Sequence, residues 1–161
     1  MFNGKESHPL KKHTAWMLKA LRLAEQAARE GEIPVGAIII RDNQLIGKGY
    51  NQTELLNDPT AHAEMLAISA ACNTIGEKYL NGCTLYVTLE PCPMCAGAIM
   101  WSKIDRIVFG LPDERAGACG TLFNISNNKK LNHRSEVIQG VLEEDCRDLL
   151  QIFFKNRRNR K

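Results

Sequence analysis

The sequence predicts an α/β protein of three layers, with helices on both sides of a mixed sheet of about five strands. Three observations predict it. The chain has 161 residues, the length of a single domain at ~100–200 residues per domain. Leu, Ile, Val and Phe supply 40 of those residues, about a quarter, above the ~20% below which chains tend not to form a core. Helical and extended apolar patterns then alternate along the chain, as expected for helices layered on a sheet.

Residues 1–12 are polar and are expected to be a loose, flexible arm. Thr14 to Glu30 reads as an amphipathic helix, because Met17, Leu18, Leu21 and Ala24 recur at spacings of three and four and Gly31 can stop it. Val35 to Ile40 is a short β-branched run. Arg41 to Gln44 breaks it and Leu45 to Tyr50 resumes an extended pattern, which predicts a hairpin with an Asp-Asn turn. Asp58-Pro59-Thr60 precedes a second helix, Ala61 to Cys72, and Leu85 to Leu89 is a third strand. Pro91 opens a third helix, Cys92 to Ser102; the N–H that Pro lacks would be unpaired in a first turn in any case. Ile104 to Phe109 is a fourth strand, 110–135 reads as loop, and Val137 to Val141 is a fifth strand weakened by Gly140. Glu143 to Lys155 is a terminal helix, acidic at its start and basic at its end, as the helix dipole favours.

The formal net charge is +3, but it is unevenly placed. Residues 155–161 carry five basic and no acidic side chains, so the rest of the chain is slightly acidic. A general polyanion coat is excluded and a local basic patch is not. No run of ~18 apolar residues offers a membrane span, and the polar start does not read as a secretory signal. A cytoplasmic protein whose six cysteines are reduced thiols is the expectation.

Two clusters carry chemistry: His62-Ala63-Glu64 and Pro91-Cys92-Pro93-Met94-Cys95. Both fall at the predicted start of a helix that follows extended chain. Cys92 and Cys95, three apart, share one face of a first turn, where backbone N–H groups and the dipole favour thiolates. With His62 as a third ligand they could hold zinc and leave the fourth tetrahedral position to water, the catalytic arrangement. Zinc brings the pKa of such a water toward ~7. Glu64, two residues from His62, could take its proton and later give one to a leaving group. Taken singly, the Cys-x-x-Cys could instead be a redox pair, half of a zinc knuckle or two core thiols, and His62 a capping residue. A closed structural zinc site would need a fourth ligand, for which Cys72 and Cys83 are candidates.

The combination His-x-Glu with Pro-Cys-x-x-Cys resembles the zinc-dependent nucleobase deaminases. The likeness extends through Ile33 to Ala37, Gly49-Tyr50-Asn51, Asp58 to Glu64, Thr88 to Ala98, Val108-Phe109-Gly110, Gly117 to Thr121, Leu131 to Arg134 and Phe153-Phe154. These segments resemble the bacterial tRNA-specific adenosine deaminase branch of the cytidine and deoxycytidylate deaminase superfamily, over roughly residues 14–158. The resemblance implies a cytidine-deaminase-like fold and hydrolytic deamination of adenosine to inosine at the wobble position of a tRNA anticodon. It implies one Zn2+ per subunit on His62, Cys92 and Cys95, with Glu64 as proton shuttle. It implies that Asn51 hydrogen-bonds the flipped purine and that the Ala63 N–H lies where the base is held. It also implies a homodimer acting on a tRNA anticodon stem-loop rather than on DNA. Arg115 departs from the Lys that relatives often carry, and the two differ in geometry.

Composition suggests where RNA would lie. Phe153 and Phe154 beside Lys155, Arg157, Arg158, Arg160 and Lys161 interleave aromatic and basic groups, a pattern suited to single-stranded RNA. Lys129, Lys130, His133 and Arg134 form a second basic cluster. Two other functions compete. One is deamination of a free base or nucleoside of cytosine or guanine type, which needs no basic tail. The other is a non-catalytic, zinc-stabilised RNA-binding module, which gives Glu64 no role.

Overall fold

The computed structural model describes residues 8–160. Its elements in chain order are α1 (His8–Arg29), β1 (Gly36–Arg41), β2 (Gln44–Tyr50), α2 (Ala63–Ile75), β3 (Cys83–Leu89), α3 (Pro93–Ser102), β4 (Arg106–Leu111), β5 (Glu136–Gln139) and α4 (Glu143–Asn159). The strands form one sheet in the order β2-β1-β3-β4-β5. β1 is antiparallel to both β2 and β3, while β3, β4 and β5 run parallel. A mixed five-strand sheet between helices is the architecture the sequence predicted.

Strand alternation sorts side chains into two apolar layers. Ala37, Ile39, Leu85, Val87, Ile107 and Phe109 face α2 and α3 and pack with Ala63, Ala67, Ala71, Ala96 and Ile99. Ile38, Ile40, Tyr86 and Val108 face the other way, against Met17 and Ala20 of α1 and Val141 before α4. Parallel strands are buried on both faces, which is why β3 and β4 read as nearly continuous apolar runs.

The hairpin turns at Asp42-Asn43, both with positive φ (49° and 62°), as a two-residue turn matched to strand twist requires. β2 then lies flush against α2. A Cβ on Gly49 would stand 2.5 Å from the Ala63 carbonyl oxygen, and one on Gly47 2.5 Å from that of Ala67. Gly47 and Gly49 on the strand and alanines on the helix thus let two backbones meet, fixing the start of α2 beside the end of β2.

Several boundaries differ from expectation: α2 is Ala63–Ile75 rather than Ala61 to Cys72, β3 Cys83–Leu89 rather than Leu85 to Leu89, and β4 Arg106–Leu111 rather than Ile104 to Phe109. The helix read as Thr14 to Glu30 begins at His8, so 8–12, expected in the flexible arm, are helical; 1–7 lie outside the described residues. Its first turns carry Lys11, Lys12 and His13, too polar to register as a helical apolar stripe. β5 occupies Glu136–Gln139 rather than 137–141, because Gly140 leaves the extended region with φ 84°. α4 runs four residues past Lys155, taking most of the expected basic tail into the helix; Lys161 lies outside the described residues.

Candidate active site

One edge of the sheet collects the elements that matter. β3 and β4 both end there, at Leu89 and Leu111. β1 is antiparallel to β3, so its first residue, Gly36, lies at the same edge, paired with Tyr50 at the end of β2. Chain leaving β2 turns into α2, and chain leaving β3 turns into α3. Each helix starts on a predicted ligand: His62 is the N-cap of α2 and Cys92 that of α3, both with extended backbone and neither making a side-chain cap. Their side chains are free to face each other.

The His62 Nδ1 lies 3.6 Å from the Cys92 Sγ and 3.5 Å from the Cys95 Sγ. A tetrahedral ion with metal–sulfur bonds of ~2.3 Å and metal–nitrogen bonds of ~2.1 Å would hold such donors about 3.6 Å apart. One imidazole and two sulfurs at this spacing therefore fit zinc in both donor type and separation. Among the described residues, His62, Cys92 and Cys95 are the group of His, Cys or acidic side chains close enough to bind one ion. Cys72 and Cys83, the candidates for closing a four-ligand site, are not in it. Three ligands leave the open position that a catalytic metal needs.

The electrostatics favour binding. A hydrogen bond from the Cys95 thiol, aided by His62, holds the Cys92 thiol down at about 4 despite burial. The same bond, with burial, pushes Cys95 up, and the Cys92 sulfur raises His62. That hydrogen bond favours the thiolate at Cys92, the form that ligates. Glu64, in the first turn of α2, is only 4% exposed. Burial raises its pKa, against the lowering effects of a backbone hydrogen bond and of the Cys95 thiol. A buried carboxyl thus stands two residues from a ligand, where a proton shuttle would act.

The other expected residues are placed unequally. Asn51 follows β2 at this edge and is 7% exposed; its N–H donates to the Val35 carbonyl. Ala63 is buried as the first residue of α2. Phe154, Arg157 and Arg158 line a groove of about 1310 Å³, together with Leu89 and Leu111 at the strand ends and Arg115 in the following loop. Phe153 turns toward α1, beside Ala28 and Gly31, and stacks edge-on with Phe154 at 5.5 Å. Arg134 is not brought to this site. It precedes β5, whose Glu136 pairs with Arg106 at the start of β4, one strand length, roughly 20 Å, from the edge. His133 donates its Nε2–H to the Ile104 carbonyl at 2.7 Å, so its ring is engaged in the fold.

Two residues had no role in the sequence reading. Glu32 and Glu90 are 1% and 2% exposed, and each accepts backbone N–H groups from a loop beside the site. Glu32 takes those of Glu54 and Leu55; Glu90 takes those of Asp113, Cys119 and Thr121. The available signal was a lone acid beside an apolar strand, Glu90 directly after Leu89, where a charge stays buried only if it is satisfied.

Comparison with known proteins extends these observations. Residues 10–111 match the cytidine and deoxycytidylate deaminase zinc-binding region, a span that contains all three candidate ligands and Glu64. The chain is 44% identical over 146 residues to the tRNA-specific adenosine deaminase of Bacillus subtilis (strain 168), covering 91% of each. It superposes with a TM-score of 0.82 on a structure from work on A-to-I editing by tRNA:A34 deaminases, at 38% identity over 85% of this chain and 99% of that one. A guanine deaminase from Bacillus subtilis gives a TM-score of 0.60 at 38% identity, over 66% of this chain and 69% of that one.

Proposed function

Since this chain belongs to the cytidine and deoxycytidylate deaminase family, with the tRNA-specific adenosine deaminases, we propose that it converts the wobble adenosine of a tRNA anticodon to inosine. The observation that carries the reading is the convergence of His62, Cys92 and Cys95 on one point with buried Glu64 beside it. A second observation favours RNA over a free base. Likeness to a tRNA enzyme is 44% identity over 91% of the chain, whereas one guanine deaminase matches two thirds of it and another, from Nitrosomonas europaea, covers 87% at only 24% identity.

His62, Cys92 and Cys95 would hold the zinc. Zinc, when bound, polarises a water and makes it a nucleophile near neutral pH. Glu64 takes a proton from the water that adds to C6 of adenine and delivers it to ring N1. It then takes the remaining proton from the C6 hydroxyl and gives it to the departing amine, so that ammonia leaves and the C6 carbonyl remains. The Asn51 side chain and the Ala63 N–H hold the base in place. An anticodon base must leave its stack to reach this point, at a cost of a few kcal/mol that is least in an unpaired loop.

Phosphates would follow the basic groove. Arg157 lies over the Phe153 ring, 5.7 Å from its centre, and Arg158 shares the groove with Phe154; both line the way to the strand ends. Deleting residues 157–161 removes four basic groups. The expected result is weaker binding of the stem-loop and a salt slope flatter by up to about 3, at roughly 0.7 per phosphate contact. Binding titrations between 50 and 200 mM salt check this, and an unchanged slope excludes the tail. Arg134, at the other end of the sheet, would reach RNA only beyond the flipped base or from a second subunit.

The second subunit is a homodimer partner, set against exposed apolar groups. Trp101 on α3 is 71% exposed, and Leu55, Leu56, Leu122 and Phe123 are each at least half exposed. Light scattering is expected to give twice the 18.0 kDa chain mass, and a monomer would remove the partner. Among the described residues no helix is long and apolar enough to cross a membrane. The function itself is tested by inosine formation from an anticodon stem-loop with wobble adenosine. Turnover of free guanine or cytosine without turnover of the stem-loop would replace it with small-molecule deamination.

A further inference from the structure

We propose that Glu90 is a positioning residue for the RNA substrate, holding the 111–121 loop against the segment that carries Cys92. The inference deepens the proposed function and rests on it. Glu90 stands two residues before Cys92, where β3 passes into α3. Its carboxylate accepts the N–H groups of Asp113 at 3.1 Å, Cys119 at 3.0 Å and Thr121 at 3.2 Å, and also the hydroxyl of Thr121. Four donors from one loop therefore converge on one buried side chain. Among the described residues no Lys, Arg or His pairs with it. A buried carboxylate without a cation is tolerated only when hydrogen bonds satisfy it, so the loop and the carboxylate require each other.

The loop is shaped for this contact. A Cβ on Gly117 would stand 2.5 Å from the Glu90 Oε2, so only glycine lets the chain pass so close. Backbone bonds reinforce it: Ala118 N–H donates to the Pro91 carbonyl, and Glu90 N–H to the Leu111 carbonyl. The near part of the loop continues the groove. Asp113 accepts the N–H groups of Arg115 and Ala116 through Oδ1, and Pro112, Asp113 and Arg115 face Phe154, Arg157 and Arg158 across it. Arg115 is thus fixed, through Asp113 and Glu90, to the chain that presents Cys92. Releasing the anchor would loosen the RNA-facing wall while leaving the three donor side chains in place.

The test is Glu90→Gln in the full-length, zinc-loaded protein. Gln keeps the shape but turns two donor hydrogens toward groups that are themselves donors. The expected result is a KM for the stem-loop raised at least tenfold, kcat within threefold, zinc still one per chain, and faster hydrogen exchange at the Cys119 and Thr121 amides. Thr121→Val, which loses only the hydroxyl bond, is expected to raise KM two- to fivefold and to add little in the Glu90→Gln background. Loss of kcat at unchanged KM, or effects of the two variants that multiply fully, would overturn the proposal, as would faster exchange with unchanged KM. If Glu90→Gln does not fold, the exchange and KM of Thr121→Val decide alone, and no change in either overturns it. A wild-type chain inert on the stem-loop would sink the functional reading instead; the anchoring would still be judged by exchange and by stem-loop affinity.

Discussion

Glu64→Gln is expected to abolish inosine formation while zinc and RNA remain bound. Glu64 is a buried carboxyl in the first turn of α2, two residues from His62, and burial raises its pKa. The reaction needs both removal of a proton from water and delivery to N1 and to the amine. Gln matches the volume and can do neither. General acid–base catalysis contributes ~10²–10⁴-fold, and a residue acting at successive proton transfers falls at the upper end. A loss of about 10⁴-fold in kcat is expected, equivalent to about 5.5 kcal/mol of transition-state stabilisation. Stability should not fall, because the substitution removes an ionisable group that burial penalises. Single-turnover assays on the stem-loop, with zinc content and melting temperature read in parallel, separate the outcomes. A variant retaining activity within tenfold would remove Glu64 from the chemistry and favour a binding module.

Cys95→Ala is expected to cost both metal and stability. Cys95 is fully buried in α3 and its sulfur lies 3.5 Å from His62 at the start of α2, so a bound ion ties the starts of two helices together. Metal that binds only the folded state adds its free energy to folding. At a thousandfold excess over its Kd that is about 4 kcal/mol. At about 2–4 °C per kcal/mol for a chain of this size, the melting temperature should drop by about 8–16 °C. Chelation of the wild type should reproduce most of that loss, and the variant should show no further response to chelator. Stoichiometric zinc in the variant after dialysis would exclude Cys95 as a ligand.

The site was legible where one residue type at one spacing has few uses. Two thiols three apart after Pro91, and a His two before a Glu, each opening a helix, brought the metal cluster and Glu64 into view. The Asp42-Asn43 turn was legible because two consecutive positive-φ positions select such residues. What stayed hidden was set by tertiary pairing. Glu90 reads as one more acid after a strand, and its role depends on a loop more than twenty residues later folding back over it. Arg134 sits in a basic cluster by sequence, yet the parallel direction of β5 carries it to the far end of the sheet. His133, in the same cluster, is turned inward to donate to the Ile104 carbonyl. The early start of α1 was missed because its polar turns, with Lys11 and Lys12, have no apolar stripe to announce them.

Helix α4 has a mechanical consequence. Its basic end is not a tether that searches for phosphate but the outer arm of a lever whose fulcrum, Cys146 and Leu150, is packed in the protein. A stiff arm spends no chain entropy on docking, and it transmits small rotations at its base as larger displacements at Arg157 and Arg158. Substitutions at the fulcrum therefore act on the tip, and drift in interior packing, far from any nucleotide, becomes a route by which preference among anticodon loops can shift while the chemistry at the metal stays the same.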